Sequence, residues 1–257
     1  MTTLKLMLRQ ALYENRAFWR NPAAAFFTFI FPLMFLVIFN VVFGDNEIEV
    51  SGGRVDTSTF YVPAIIALSV INTCFTGMAQ TVAFARDRGV LKRVRGAPLP
   101  PVAYLGGRIT QSVWSMILLV TIVLGAGMVF YGVDVQTDKL PAAFAVLVIG
   151  AATFCALGLA ITAIIPNADA APAIVNATIL PLLFISDVFI PTANSPHWIT
   201  SLASVFPVSH MAGALHDAFN PYTPGSGLVA KDVIVLVAWG VAGAVIAARY
   251  FSWEPRR

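Results

Sequence analysis

The side chains able to do chemistry are few in this 257-residue chain. His197, His210 and His216 fall within one stretch, with Asp217 beside the last. Imidazole next to carboxylate can hold a metal or move protons. The spacing argues against both uses: His210 and His216 stand six residues apart, on different faces of a helix, and no HExxH-like spacing exists. Trp198, Phe206 and Phe219 suit a segment seated at an interface between membrane and water. Cys74 and Cys155 form no CxxC pair and lie in apolar runs, so they are expected as small packing residues. None of Lys5, Lys92, Lys139 or Lys231 is followed by Ser or Thr, so no GxxxxGK[ST] phosphate loop is possible. No catalytic, metal or cofactor site is expected in this chain.

A second group of polar residues interrupts apolar runs. Ser69, Asn72, Thr73, Thr76 and Gln80 recur at i, i+3/i+4 spacing and make one polar stripe on a helix. Asn176 and Asp187 are eleven residues apart, almost three whole turns, and so lie on one side of a continuous helix. Such groups inside a bilayer face protein or a water-filled cavity. Ordinary hydrogen bonding between helices, worth ~0.6 kcal/mol on average, explains them equally well from the sequence alone. Small residues repeat every four at Ala152, Ala156 and Ala160, and at Gly240, Ala244 and Ala248. They predict close helix packing within one protomer.

The elements that must carry these residues are membrane helices. The composition is 58% hydrophobic and only 11% charged, against roughly 25% charged in a soluble domain. So little charge cannot cover a globular surface. The fold class expected is an all-α membrane protein with one transmembrane domain over residues 1–257. Apolar runs place six spans at about 23–43, 59–83, 109–131, 141–165, 170–190 and 232–250. Residues 3–20 form a basic amphipathic interfacial helix. Lys5, Arg9, Arg16 and Arg20 share one arc, while Leu4, Met7, Ala11 and Phe18 lie opposite. Trp19 sits at the interface and Asn21-Pro22 breaks the helix. The first apolar run is too long for a cleavable signal. Residues 44–58 read as an acidic loop, and 191–230 as a patchily apolar outer segment of re-entrant helices. With six spans, thirteen of the sixteen Lys and Arg residues fall on the side that also holds both termini. The positive-inside rule makes that side cytoplasmic.

The densest charge lies at 85–101, ARDRGVLKRVRGAPLPP. Gly89 permits a turn. VLKRVR makes a short helix with Val90, Leu91 and Val94 on one side and Lys92, Arg93 and Arg95 on the other. Pro98, Pro100 and Pro101 separate it from the next span. A bounded, charged helix in a cytoplasmic loop suits docking into a partner's groove; a patch that only sets topology and binds anionic lipid fits as well.

In order and topology these segments resemble the type-2 ABC exporter permeases, the family of drug, polysaccharide and lipid exporters. The resemblance spans nearly the whole chain. It rests on the N-terminal helix ending in Arg20-Asn21-Pro22, the first span with Pro32, RDRGVLKRVRGAPLP at 86–100, LPLLFISDVFIP at 180–191 and FPVSHMAGAL at 206–215. Val90 and Asp187 depart from the usual Thr and small residue. The resemblance implies export of a hydrophobic or amphipathic compound across a bacterial cell membrane. It implies a second permease copy or paralogue, and two cytoplasmic ABC ATPase subunits that bind ATP and Mg. No nucleic acid is implied. Asp87, Gly89, Val90, Leu91, Lys92, Arg93, Val94 and Arg95 become the segment that couples to the ATPase. Leu91, buried in its groove, is expected to carry most of the docking energy. Asn72, Thr76, Gln80, Asn176 and Asp187 become candidates to line the transport path. The rival readings are a membrane-embedded lipid-modifying enzyme and a membrane assembly or sensor protein that transports nothing. The first would need a convergent His/Asp/Arg/Ser set, which does not assemble.

Overall fold

A computed structural model describes residues 2–44, 46–50, 52–96, 99–134, 136–186, 188–189, 196–225 and 227–254. The described chain is helical apart from one hairpin. Helix α1 (Thr3–Trp19) ends at the expected break. Asn21 then starts the next helix: its Oδ1 accepts from the Ala24 N–H, and Pro22 takes the first-turn position, where its missing N–H costs nothing. Helix α2 (Pro22–Phe43) contains Pro32. Its turn at Phe26–Ile30 is π-helical, with Phe31 N–H bonded five residues back to Phe26, which widens the helix just before the proline. After α2, Glu47–Val50 (β1) and Gly53–Asp56 (β2) pair antiparallel, with Ile48 opposite Val55 and Glu49 opposite Arg54. The expected acidic loop is therefore a hairpin. Alternation in EIEV and Gly52 at φ +98° were its signals.

Helix α3 (Thr57–Asp87) is the central post. Buried residues make up 78% of its most apolar stretch, against 17% for α2 and for the last helix. Helix α4 (Val90–Arg95) follows a two-residue turn. Helix α5 (Pro101–Tyr131) starts eight residues before the expected span, because Pro101 occupies its first turn and begins the helix instead of delaying it. Helix α6 (Leu140–Ile161) and helix α10 (Ala230–Tyr250) match their spans within a few residues. Between them lie α7 (Ala171–Phe184), α8 (His197–Ala203) and α9 (Pro207–Phe219).

Among the described residues, five helices (α2, α3, α5, α6 and α10) are long and apolar enough to cross a membrane. The span expected at 170–190 is a helix of 14 residues. At 1.5 Å per residue that is about 21 Å, short of a ~30 Å hydrocarbon core.

Glycines set the closest helix contacts. A Cβ on Gly158 of α6 would stand 2.8 Å from the Phe75 carbonyl oxygen of α3, and one on Gly240 of α10 would stand 2.9 Å from Thr153 Oγ1 of α6. The α6–α10 seam uses Gly240, Gly243 and Ala247. Ala152, Ala244 and Ala248, members of the two small-residue stripes, are exposed. Packing within the protomer is thus observed, in a shifted register.

The bundle has two distinct ends. At one, α1, the start of α5, the 88–96 segment, the 162–170 turn and residues 251–254 meet, through Glu14–Arg108, Arg95–Glu254 and the Tyr104–Trp253 rings. At the other, Tyr222 donates from its hydroxyl to the Arg54 carbonyl. There the buried Lys139 ammonium donates to the Asn220 and Thr223 carbonyls at 2.7 and 2.8 Å, capping the C-terminus of α9. One of the few basic residues at this end is thereby accounted for.

Candidate functional site

The charged loop is built outward from the last turn of α3. Arg86 is 2% exposed, and its guanidinium donates to the carbonyls of Thr162, at 2.8 Å, and Ile165. Asp87 Oδ2 accepts the Ala168 N–H at 3.1 Å. Gly89, at φ +69°, then reverses the chain in a conformation that an L side chain resists by about 1–2 kcal/mol. Helix α4 follows at once. Leu91 is 0% exposed and belongs to the bundle's own core, with Val94 packed against it. The expectation that Leu91 fills a partner's groove is therefore corrected: its side chain is already used to seat α4 on the bundle. The surface left to a partner is Val90, 36% exposed, with Lys92, Arg93 and Arg95. Arg95 reaches Glu254 at 3.8 Å, an exposed pair worth little.

Helix α1 braces the same end. A Cβ on Gly106 would come 2.6 Å from Met7 Sδ, and one on Gly107 2.6 Å from Gln10, so these glycines admit α1 against α5. Glu14 pairs with Arg108 at 3.3 Å, both largely buried, and Arg108 Nε donates to the Tyr104 hydroxyl at 2.9 Å. Sequence reasoning missed this set. Its signals were a lone acid in a basic helix and the Gly-Gly pair. Met7 and Ala11 serve this contact, while Leu8, Leu12 and Trp19 stay exposed beside the basic arc.

The polar stripe occupies a distinctive place on α3. Almost every residue from 57 to 71 is buried; Asn72, Thr73, Thr76 and Gln80 are the first to emerge, half-buried, and the turn at Asn72–Gly77 is π-helical. Ser69 and Thr81 satisfy their hydroxyls on the carbonyls of Ile65 and Gly77. Thr76 Oγ1 has no partner among the described residues. Asn176 is exposed on α7, beside the buried stripe Ala171, Val175, Ile179 and Leu183. Helix α7 packs on the Met78–Asp87 part of α3 and on α9. It ends at Phe184, and Asp187, expected on one side of the helix with Asn176, lies outside the described residues.

The histidines are dispersed. His210 Nδ1 lies 2.6 Å from Asp232 Oδ1 and its Nε2 lies 2.9 Å from the Ser204 carbonyl, which ties α9 to α10. His216 stacks on Phe60 with centroids 4.4 Å apart, and His197 contacts Ser201. Phe206 stacks on Trp239, whose Nε1 donates to Val205. Asp217, next to His216, has its carboxyl pushed above the usual range by burial first and then by the Asp232 charge; Thr223 and Lys139 oppose this. Cys74 and Cys155 are buried, free and in contact across α3 and α6.

Residues 6–220 match the family described as ABC-2 type transporter. The chain is similar to the "Daunorubicin resistance ABC transporter permease protein DrrB1" of Streptomyces coeruleorubidus, at 26% identity over 214 residues, covering 79% of this chain and 71% of that one. It is also similar to the "Probable doxorubicin resistance ABC transporter permease protein DrrC" of Mycobacterium tuberculosis, at 23% identity over 255 residues, covering 95% and 87%. A bundle of long apolar helices with a short basic helix at one end fits those names, and the family match covers most of the chain; the protein belongs to the ABC-2 type transporter permeases.

Proposed function

We propose that the chain is the membrane subunit of an ATP-driven exporter of hydrophobic or amphipathic compounds, with ATP bound and hydrolysed, with Mg, by a separate cytoplasmic subunit. The observation that carries this reading is α4. Its apolar side is packed into its own bundle, and its basic side is turned outward on a turn held at both edges. That is a rigid docking surface rather than a loose basic loop. Two ATPases and a second permease, identical or paralogous, complete the assembly.

The chain leaves α6 at the end that holds Arg86 and enters α10 at the end that holds Lys139. This change of ends supports reading a sixth crossing within residues 171–229, begun by α7. Both ends of the chain then lie on the basic, cytoplasmic face of a bacterial inner membrane. The half-buried Asn72 and Gln80 emerge from a helix that protein encloses over nearly all of residues 57–71, and Asn176 is exposed at the bundle surface. Amide groups facing lipid are costly, so a second copy or an aqueous path faces them. The exposed strip Leu8, Leu12 and Trp19 beside the basic arc lets α1 lie at the lipid surface while its other side holds α5.

The test is copurification of the ATPase with the tagged permease. Lys92→Glu with Arg93→Glu should release the ATPase while the permease still inserts. Normal retention would remove α4 as the docking surface. Impermeant thiol labelling of intact cells, with cysteines placed at 47 and 93 in a background lacking Cys74 and Cys155, should reach 47 alone; equal labelling would overturn the orientation.

A further inference from the structure

We infer that Arg86 and Asp87 form a two-point clamp that makes the α6–α7 turn move as one body with the docking helix, and so act as positioning residues for the export stroke. This rests on the coupling role proposed above for α4. The two residues end α3, immediately before the turn into α4. Arg86 holds Thr162, the C-cap of α6, and Ile165 just beyond it; these carbonyls lie where a helix C-terminus leaves its acceptors unpaired and carries partial negative charge. Asp87 holds the Ala168 N–H, in the turn three residues before α7 begins. The two contacts therefore grip the turn at its α6 end and near its α7 end, across 76 to 81 residues of sequence. With Leu91 sealing α4 to the core, a displacement applied to Lys92 or Arg93 reaches α3, and through the clamp reaches α6 and α7 together. Without the clamp, α4 and α3 could move while the 162–168 turn stayed behind.

The test uses the purified permease–ATPase complex in vesicles, with fluorescent doxorubicin as the probe of export. Arg86→Gln and Asp87→Ala should retain the ATPase and its hydrolysis, but export per ATP should fall about tenfold, the scale of one lost charged hydrogen bond. Arg86→Lys should recover part of the loss, since one donor still reaches a carbonyl. A second pair, Asp87→Cys with Ala168→Cys in a background lacking Cys74 and Cys155, should be uncoupled as thiols and regain export per ATP when joined by a short thiol crosslinker. Wild-type export per ATP in Asp87→Ala, or a crosslink that stops export, would overturn the clamp. Loss of the ATPase from Lys92→Glu/Arg93→Glu but not from the clamp variants keeps the two ideas apart: retention in the charge-reversed variant would sink the docking surface itself.

Discussion

Leu91→Ala separates two uses of the docking helix. The side chain is fully enclosed within the permease. Burial of a leucine contributes roughly 1.5–3 kcal/mol, and truncation adds a cavity penalty, so Leu→Ala at such a site costs about 2–5 kcal/mol. That loss should appear in the isolated permease, in detergent, with no ATPase present, as a drop of several degrees in the temperature at which it aggregates or loses its elution peak. Val90→Asp is the companion. Val90 is 36% exposed, so its replacement should leave the isolated permease near wild-type stability and weaken ATPase retention instead. If Leu91→Ala left the isolated permease unchanged and released the ATPase, the leucine would be facing the partner and the packing assigned to α4 would be wrong.

Other consequences follow from the same geometry. Glu14→Gln replaces the carboxylate that Arg108 holds at 3.3 Å by a neutral acceptor and should cost about 1.5–3 kcal/mol; faster proteolysis of residues 3–19 reports it, and unchanged protection would show that the glycine contacts alone hold α1. Asp217 is raised in the folded state, so its contribution is fully present below the ordinary value of 3.8 and is lost as pH rises through the raised one. Asp217→Asn should therefore be more stable than wild type at neutral pH, with a gap that closes on acidification; a gap independent of pH would contradict the assignment. Leucine at Asn72, Gln80 or Asn176 should change which compounds are exported, or how fast, with assembly intact; three variants that export every tested compound normally would make these residues plain bundle contacts.

Membrane helices were legible because transfer from water to hydrocarbon accumulates residue by residue, so a run such as AAAFFTFIFPLMFLVIFNVVF declares itself without knowledge of its neighbours. The gathering of α1, the charged loop, the 162–170 turn and the chain's last described residues at one end was legible from the alternation of the apolar runs, with the basic residues as its check. What escaped was set by contacts distant in sequence. The pattern VLKRVR shows that α4 has an apolar side, but a helix of six residues carries no record of whether that side meets its own chain or another. Arg86 counted only as one basic residue among several, because its carbonyl partners lie 76 and 79 residues away. The hairpin was hidden by strands of four residues each, too short for alternation to outweigh a high content of acids. The end of α7 at Phe184 was hidden because the apolar composition continues beyond it.

The central claim, that this permease moves a compound at the expense of ATP hydrolysed by a partner docked on α4, is tested most directly in inside-out vesicles holding the purified complex. A fluorescent amphipathic compound is added outside with MgATP, and its accumulation in the lumen is followed. The account predicts accumulation that requires hydrolysable ATP and disappears with Lys92→Glu/Arg93→Glu. Accumulation that persists in that variant at the wild-type rate would contradict it.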